Sequence, residues 1–535
     1  MSLSTPDASK PLPNRATSQA NRLHSNKLLI TSNPADLEPL LQAQSSFQST
    51  PSRRYSILLA SDYFFPNLGG VEMHMFQLGQ CLMERGHKVV IMTNTYSKER
   101  LGIRYVSNGM KVYHLPLLPF ASQDSFVSIM FLMCILRKIC IREGIDIVHG
   151  HQTTSLLNIV SMLHGVTLGK KLVFTDHSLF GFSDAASINI NKVLKWVIAD
   201  VDACICVSHI NKDNLSLRAA IDPNIIYVIP NAVDTTRFQP DTSLRNPVNR
   251  INIVVVSRMM YRKGVDLLID IIPEIIRKYP DVYFIIGGDG DKLPLIQAMK
   301  DKYNLSDRME LLGRVPHHKV REVLCRGHIF LNTSLTEAFC IAILEAASCG
   351  LLCVSTNVGG VPEVLPPDMV YLAPARPKPM IQQLEKAIAN YKNTPSHSFH
   401  ERIKQLYSWR NVAVRVERVY DNIHQTPRPT ILGRIKNSLS LGLIAGIGSA
   451  LWLILELMML LFWEWLAPEE TIEKAVDFDF TRYMIDKESY GDHTFKVNKT
   501  DSAPKKEQPQ CNPAENQYYT TYITQEGKRR IRLCD

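Results

Sequence analysis

Short apolar runs alternate with amphipathic stretches between Tyr55 and about Glu417. Runs rich in Val, Ile and Leu, such as INIVVV and LLCVS, are typical of strands that are buried on both faces. Longer stretches such as MHMFQLGQCLMERGH carry apolar residues at helical spacing and end near Gly86. This alternation predicts an α/β fold in which helices cover both faces of a mainly parallel sheet.

The alternating pattern occurs in two series, separated by NAVDTTRFQPDTSLRNP. This segment is rich in Asn, Asp and Pro, which is typical of a linker. Two doubly wound, Rossmann-like domains are therefore predicted, covering residues 54–230 and 249–405 with a linker at 231–248. Ligands of such sheets bind beyond the carboxyl ends of the strands, so we expect the site in a cleft between the domains.

The two ends of the chain depart from this pattern. Residues 1–53 are rich in Ser, Pro, Asn and Gln without periodicity and are predicted to be disordered. A helical segment is predicted for 406–436, and the span 439–466 contains a run of apolar residues in which Glu456 is the only charge before residue 464. About 23 helical residues rise about 34 Å, enough to cross a bilayer. Basic residues before the helix and acidic ones after it predict a single-pass membrane protein whose domains are cytosolic and whose tail, 467–535, is lumenal.

A second apolar stretch runs from Phe126 to Leu136 and is too short to span a membrane. It is interpreted either as a buried helix or as a helix that dips into the membrane interface, with Arg137 and Lys138 at the headgroups. The sequence leaves both interpretations open.

Composition and charge narrow the possible partners. A chain of 535 residues is too long for a single core. The net charge of +9 is mild and no dense basic block occurs, so nucleic acid is not an expected partner, whereas an anionic substrate or a membrane surface is. Eleven cysteines without a Cys-x-x-Cys pair predict reduced thiols in a reducing compartment.

Candidate phosphate-binding groups follow the first strand of each domain. In NLGGVE, Asn67, Gly69 and Gly70 lead into a helix, where small residues let backbone amides approach a phosphate and the helix N-terminus favours its charge. In SRMMYRKGVD, Arg258 and Lys263 supply a guanidinium fork and a point charge that suit a diphosphate. A generic turn and a solvated basic loop are the respective alternatives.

Histidines and glutamates occupy further strand ends. His151 and His177 close the strands DIVHGH and FTDH; such histidines are often structural, but His177 could hydrogen-bond a reacting group in the cleft. No carboxylate or cysteine cluster accompanies them at ligand spacing, so no metal is predicted. In TEAFCIAILEA, Glu337 and Glu345 are separated by about 80° of helical rotation and can face one cleft. Considered alone, this pair also fits a helix that has Glu337 at its start and Glu345 on its solvent-exposed face.

Taken together, these features resemble the retaining GT-B glycosyltransferases of the family 4 type. The most specific element is Glu-x7-Glu, accompanied by the Gly-Gly loop, the Arg-x4-Lys pair and PNAVDTTRF. The resemblance implies an acceptor-binding N-terminal domain and a nucleotide-sugar-binding C-terminal domain. It also implies residue roles: Arg258 and Lys263 for the donor diphosphate, Glu345 for its ribose, Glu337 for its sugar, Gly69 and Gly70 for the phosphate side of the cleft, and His177 for the reacting sugar.

Within this family, the segments HGHQTTS, FTDHSLFGF and SLTEAFCIAILEAASCGL look like those of a membrane-bound group. That resemblance implies UDP-N-acetylglucosamine (UDP-GlcNAc) as donor, phosphatidylinositol as acceptor, the endoplasmic reticulum membrane and the other subunits of a complex. We therefore expect retaining transfer of N-acetylglucosamine at the start of GPI-anchor synthesis, without a metal or other cofactor. His151 and Asn67 are acceptor-side candidates. The alternatives are a lipid-directed transferase with another sugar donor and a catalytically silent, membrane-tethered nucleotide-sugar-binding scaffold.

Overall fold

The computed structural model describes residues 51, 53–67, 69–96, 100–106, 109–116, 129–245, 250–393, 395–439, 441–477, 520–523 and 529–532. Most of the segment predicted to be disordered, and most of the tail predicted to be lumenal, lie outside these residues. Within the tail, Thr520–Ile523 and Arg529–Arg532 pair as antiparallel strands.

The N-terminal domain is built on one eight-stranded sheet. In chain order its elements are β1 (Ser56–Ala60), α1 (Gly70–Glu84), β2 (Lys88–Asn94), β3 (Gly102–Val106), β4 (Met110–Leu115), α2 (Ile129–Glu143), β5 (Ile147–His151), α3 (Leu156–Thr167), β6 (Lys171–Asp176), α4 (Ala185–Val197), β7 (Ala203–Cys206), α5 (His209–Ala219) and β8 (Ile226–Val228). The strand order is β3-β4-β2-β1-β5-β6-β7-β8, and only β3 runs antiparallel to its neighbour. The chain reverses its direction across the sheet at β1, so the loops after β1 and β5 flank the place where such sheets bind ligands.

The C-terminal domain is built on a six-stranded parallel sheet. Its elements are β9 (Ile251–Val256), α6 (Val265–Lys278), β10 (Val282–Gly287), α7 (Leu293–Lys302), β11 (Met309–Gly313), α8 (Val320–Cys325), β12 (Ile329–Asn332), α9 (Ile341–Ser348), β13 (Leu352–Thr356), β14 (Val370–Ala373), α10 (Pro377–Asn390) and α11 (Ser396–Leu406). The strand order is β11-β10-β9-β12-β13-β14. Ile253 and Val254 of β9 have no exposed surface, as expected for a central strand covered on both faces. Two Rossmann-like domains were predicted, and this part of the fold class is confirmed.

A long helix, α12 (Trp409–Gln425), returns from the second domain and packs on the first. Its Tyr420 hydroxyl lies 2.7 Å from His149 Nδ1, and its Asp421 carboxylate accepts a hydrogen bond of 2.7 Å from Tyr55. Its Glu417 forms a buried ion pair with Arg85 of the N-terminal domain. This helix therefore fixes the C-terminal part of the chain to the N-terminal domain.

The apolar stretch from Phe126 to Leu136 falls mostly within α2. Leu132, Met133 and Leu136 are each at most 1% exposed, so the described part of this stretch agrees with the interpretation as a buried helix. Residues 126–128 of this stretch lie outside the described part of the chain.

Two helices follow α12 in the chain: α13 (Ile431–Leu439) and α14 (Leu443–Leu466). Within α14, Ala445–Leu466 is long and apolar enough to cross a membrane, which fits membrane tethering. Residues next to both ends of this helix contact the N-terminal domain. That the two ends lie on opposite sides of a membrane stays a prediction.

Candidate active site

The two domains meet where the carboxyl ends of their strands converge. A Cβ at Gly70, at the start of α1, would lie 3.6 Å from Ile341 at the start of α9. On the other side of the cleft, a Cβ at Gly359 would lie 2.7 Å from Leu179, which follows β6. The Gly-Gly loop and the loop after β6 therefore both face the segment that carries the two predicted donor-site glutamates.

The Gly-Gly loop is covered by a carboxylate from its own helix. Gly69 is the residue before α1, and a Cβ there would lie 2.5 Å from Glu72 Oε2, so the Glu72 side chain folds back over the loop. Burial raises the pKa of Glu72, and Arg258 of the other domain lowers it in part. Arg258 therefore lies within electrostatic reach of Glu72, the residue that covers the Gly-Gly loop.

Lys263 and Glu337 form an ion pair at the floor of the cleft. Their side chains are 30% and 15% exposed, so the pair is shielded but open to a ligand. Burial by itself lowers the pKa of Lys263, but Glu337 outweighs it and the pKa is raised, even though Arg258 opposes this with its like charge. The ammonium group is thus firmly protonated and stands beside a second cation, which is the arrangement that a diphosphate needs.

Close backbone contacts hold these two cations in place. Gly264 has a φ of 68°, and a Cβ there would lie 1.8 Å from the carbonyl oxygen of Thr333 at the end of β12. The Thr333 hydroxyl donates a 2.9 Å hydrogen bond to the Lys263 carbonyl. Beside them, Gly290 has a φ of 149° and passes against the backbone of Met259. Only glycine can both adopt the positive φ and fit the close backbone contact at each of these two positions.

The Gly264→Ala variant is expected to lower the rate of sugar transfer at least about tenfold and the free energy of unfolding by about 1–3 kcal/mol, because the added methyl group displaces Lys263 from Thr333. The matched control is Gly313→Ala, where φ is 62° but no atom lies within 4 Å. Transfer assays and thermal unfolding compare the two. Equal loss in both variants would show that backbone strain, and not the position of Lys263, is responsible.

Glu345 lies in the first turns of α9, which begins at Ile341. Burial raises the pKa of Glu345 to about 7, although Arg237 of the linker lowers it in part. Both Glu337 and Glu345 also raise the pKa of the Cys340 thiol, after the larger effect of its burial. Both carboxylates therefore lie near the Cys340 thiol at the start of α9, and that both face one ligand stays a prediction.

The loop after β13 joins the domains beside Glu337. The amide of Gly360 donates a 2.9 Å hydrogen bond to the Glu337 carbonyl. Three residues on, the Glu363 carboxylate accepts hydrogen bonds from the amides of His209 and Ile210, at 2.7 and 3.0 Å. A carboxylate of one domain thus caps the first turn of α5 in the other. This contact holds the cleft in its observed width.

Three histidines stack behind the reacting face of the cleft. His177 lies 3.2 Å from His151 through Nε2 and Nδ1, and the His151 ring stacks on that of His149 at 4.3 Å between centroids. His149 in turn lies within hydrogen-bond distance of the Thr175 hydroxyl, at 2.6 Å, and of Tyr420. His177, which is partly exposed, is therefore positioned by a buried column that extends to α12.

A fourth imidazole, that of His74 on α1, packs edge-on against His177 at 4.7 Å. Its Nδ1 lies 2.8 Å from the Asn231 side-chain oxygen. Burial, followed by the mutual repulsion of charged rings, lowers the pKa of His177 and His151 well below the usual value. These imidazoles are therefore neutral at physiological pH and offer His177 as a hydrogen-bonding group and not as a cation.

Nitrogen atoms of His74, His151 and His177 all lie within 4.8 Å of one another, close enough for a metal ion to be considered. The hydrogen bond between His151 and His177 accounts for the closeness of two of these rings without an ion. The Asn231 contact similarly accounts for the orientation of His74.

The structure thus gathers Gly69, Gly70, Arg258, Lys263 and Glu337 around one cleft. Asn67 is partly exposed in the loop that leads into α1. His151 has no exposed surface and lies behind His177, which it positions. A contact between His151 and the acceptor stays a prediction.

Four residues of the site were not singled out from the sequence. Glu72 immediately follows the Gly-Gly-Val turn, where an acid at the third helical position is a recognised capping signal. The other three carry no local signal, because each acts on a group far away in the chain: His74, Arg237 and Glu363.

Comparison with known proteins agrees with this geometry. Solved structures of similar fold include sucrose-phosphate synthase from Thermosynechococcus elongatus, with a TM-score of 0.58 and 19% identity over 70% of this chain and 99% of that one. Another is Anabaena Alr3699/HepE in complex with UDP and glucose, with a TM-score of 0.57 and 15% identity over 70% of this chain and 100% of that one. A family model described as "Glycosyl transferases group 1" matches residues 239–405. The chain is therefore a glycosyltransferase of the GT-B class.

Closer relatives define the family. A model described as "PIGA (GPI anchor biosynthesis)" matches residues 95–184. The chain is 51% identical over 421 residues to a phosphatidylinositol N-acetylglucosaminyltransferase subunit of Arabidopsis thaliana, covering 79% of this chain and 94% of the relative. The corresponding human protein is 46% identical over 436 residues, covering 81% and 90%. The chain belongs to the PIGA family of phosphatidylinositol N-acetylglucosaminyltransferase subunits.

Proposed function

We propose that this chain transfers N-acetylglucosamine from UDP-GlcNAc to phosphatidylinositol with retention of configuration. The observation that carries the proposal is the convergence of Arg258 and the Lys263–Glu337 pair on one side of the cleft, opposite the Gly-Gly loop and His177. The names of the relatives, which are N-acetylglucosaminyltransferase subunits, support the sugar and the lipid.

The residues of the cleft are proposed to have separate roles in donor binding and catalysis. Arg258 and Lys263 stabilise the negative charge that develops on the departing UDP. Glu345 accepts hydrogen bonds from the ribose, while Glu337 bonds the sugar and holds Lys263. An inositol hydroxyl attacks the anomeric carbon from the face that UDP leaves, and its proton passes to the departing diphosphate.

This route keeps the configuration without a covalent sugar intermediate. The described side chains that pack against His177 are imidazoles, which burial keeps neutral. A carboxylate that could act as the nucleophile is not among these neighbours. His177 itself donates or accepts a hydrogen bond to the sugar as the bond to UDP breaks.

The chain is further proposed to work at the endoplasmic reticulum membrane, with its two domains in the cytosol and in a complex with other subunits. The relatives are named as subunits, which supports a multi-subunit enzyme. Free thiols support the cytosol, since each cysteine of the described ranges is unpaired and most are buried.

Neither a metal nor another cofactor is required in this mechanism, because Arg258 and Lys263 supply the positive charge. Treatment of the complex with EDTA is therefore expected to leave the transfer rate unchanged. The assay should include Zn²⁺ add-back, given the nearness of His74, His151 and His177. Loss of activity on chelation, restored by metal, would contradict the proposal.

Donor affinity is expected to fall as the solution becomes acidic, because Glu345 titrates near pH 7 and accepts ribose hydrogen bonds best when ionised. If only the ionised form binds well, the Kd for UDP-GlcNAc rises about tenfold from pH 8 to pH 6. Calorimetry on the purified complex measures this, with Glu345→Gln as the comparison. The same pH dependence in Glu345→Gln would refute the role on the ribose.

The choice of donor separates the proposal from another lipid-directed transferase. Membranes that contain the complex are incubated with phosphatidylinositol and radiolabelled UDP-GlcNAc, UDP-glucose or GDP-mannose. Label is expected in the lipid fraction with UDP-GlcNAc. If the label came mainly from UDP-glucose or GDP-mannose, the proposal of N-acetylglucosamine as the transferred sugar would be wrong.

A further inference from the structure

The C-terminal domain contains a cavity of about 410 Å³ at the amino ends of its strands. Its lining includes three arginines and a tyrosine: Arg245 at the end of the interdomain linker, Arg250 directly before β9, Tyr283 near the start of β10 and Arg326 directly after α8. Arg258 of the cleft follows the opposite end of β9, and the six residues of this strand rise about 20 Å. The cavity is therefore separate from the donor side of the cleft.

Arg250 keeps its hydrogen-bond donors unused. Its guanidinium carbon lies 4.0 Å from the centroid of the Tyr283 ring, a cation–π contact that holds the group in place. Its Nε atom is buried without a hydrogen-bond partner. A guanidinium has five N–H donors, and no side chain or carbonyl of the described residues accepts a hydrogen bond from Arg250. The donors of Arg250 are therefore available to a ligand.

Arg245 is similarly short of partners. Its side chain donates one long hydrogen bond, 3.4 Å to the Ser396 hydroxyl, and its Nε atom is buried without a partner. Burial lowers the pKa of Arg245, and the Cys325 thiol offsets this only in part. The charge of Arg245 in turn adds to the effect of burial in lowering the pKa of His328 to about 4. Among the described residues, no carboxylate balances the charge of Arg245.

Other arginines of this domain show how a guanidinium is usually satisfied. Arg308 donates three hydrogen bonds of 2.8–3.1 Å to backbone carbonyls. Arg326, at the edge of the cavity, forms an ion pair with Glu310. Arg245 and Arg250 have neither kind of partner in the described part of the chain. A partly buried charge without a partner is unfavourable, so an anionic ligand would stabilise this arrangement.

The walls of the cavity are held by the protein itself. Asn252 of β9 is adjacent to Tyr283 in the register of the two strands. The Asn252 side-chain amide donates a 2.7 Å hydrogen bond to the Arg326 carbonyl. At the linker end, the Ser243 hydroxyl donates a 2.6 Å hydrogen bond to the Asp241 carboxylate. A ligand would therefore enter a cavity whose walls need little rearrangement, which favours binding.

We propose that this cavity binds the phosphate group of a soluble small molecule through Arg245 and Arg250. Guanidinium groups suit phosphate because their N–H donors match its oxygens in geometry and charge. The cavity also has the size of a small-molecule site, for which about 300–1,000 Å³ is typical. The bound phosphate would join the end of the interdomain linker to the first strand of the C-terminal domain.

A soluble ligand fits the position of the cavity better than a lipid headgroup does. The helix α13 leads into the apolar helix, and its Arg434 lies 3.2 Å from the Asp200 carboxylate of the N-terminal domain. The cavity lies in the other domain. The part of the chain closest to the apolar helix is thus not the part that carries the two arginines.

Calorimetry with pyrophosphate tests the site. The purified complex carries Arg258→Ala and Lys263→Ala in this chain, so that the cleft does not compete for the diphosphate. We expect one pyrophosphate to bind per chain, and the further changes Arg245→Met and Arg250→Met to weaken binding about tenfold or more. Arg277→Met, at an exposed position of α6, is the matched control and should bind like the parent. A parent that binds no pyrophosphate, or equal binding after the two arginine changes, would overturn the proposal.

Thermal unfolding distinguishes a ligand site from a structural role of the two arginines. Pyrophosphate should raise the melting midpoint of the parent complex, and the rise should be absent after Arg245→Met and Arg250→Met. Without pyrophosphate, the changed complex should melt at or above the midpoint of the parent, because two unbalanced charges have been removed. A lower midpoint would show that the arginines hold the fold themselves, which would contradict the proposal.

Two further titrations distinguish the source of the phosphate. Inorganic phosphate and dihexanoyl phosphatidic acid, a short-chain lipid, are added separately to the same parent complex. We expect inorganic phosphate to bind, and to bind more weakly after Arg245→Met and Arg250→Met. Binding of the lipid alone would assign the cavity to a headgroup, and the assignment to a soluble molecule would be wrong.

Discussion

Replacing Lys263 with alanine is expected to lower the rate of transfer about 100- to 1000-fold. The ammonium group is one of two cations that face the leaving diphosphate, and removal of one stabilising group in a sheltered site has an effect of this size. The loss should appear mainly in kcat, because charge on the diphosphate grows as the bond to the sugar breaks. Arg258 remains in Lys263→Ala and accounts for the residual rate.

Two comparisons distinguish this role from a structural one. Lys263→Arg keeps the positive charge and should recover part of the rate, although the fork cannot reproduce a point charge beside Glu337. Lys278→Ala removes an exposed lysine of the same domain, paired with Glu385 at 2.8 Å, and should leave the rate unchanged. Wild-type activity in Lys263→Ala membranes would refute the diphosphate role.

Replacing Arg218 with methionine is expected to destabilise the N-terminal domain by about 3–5 kcal/mol, because it leaves Asp176 buried without a counter-charge. Neither side chain of this ion pair has any exposed surface. Asp176 also accepts a 2.8 Å hydrogen bond from Thr153, and it directly precedes His177 in the chain. Loss of the pair should therefore disturb the position of His177 as well as the fold.

Thermal unfolding of the purified complex measures this effect, and a decrease of about 6–20 °C in the midpoint corresponds to the expected change for a domain of this size. The double variant Asp176→Asn, Arg218→Met removes both charges and should recover part of the stability. Arg277→Met, which breaks an exposed pair with Glu274, is the matched control and should melt like the wild type. An unchanged midpoint in Arg218→Met would contradict the buried pair.

The central strands and the donor side of the site could be predicted because their signals are local. INIVVV is apolar except for Asn252, which is typical of a strand covered on both faces, and it became β9. Glu337 and Glu345 both lie near Cys340 because their spacing is a property of one short segment. Arg258 and Lys263 likewise reach the cleft because both follow the end of a single strand.

Other features depend on partners that lie far away in the chain. The edge strand β3 was missed, since its residues are half exposed and pair antiparallel on one side only. The buried partner of Glu456, His164, could not be predicted because it lies 292 positions away in the chain. The position of His151 behind His177 follows from sheet order, which periodicity does not contain.

Product analysis tests the central claim most directly. The purified complex is incubated with phosphatidylinositol and radiolabelled UDP-GlcNAc, and the chloroform-soluble product is isolated and its linkage determined. The account predicts N-acetylglucosamine joined to inositol in the α configuration of the donor, with little product from the Lys263→Ala complex. A complex that binds UDP-GlcNAc but forms no lipid product would indicate a silent nucleotide-sugar-binding scaffold, and a β-linked product would contradict retention.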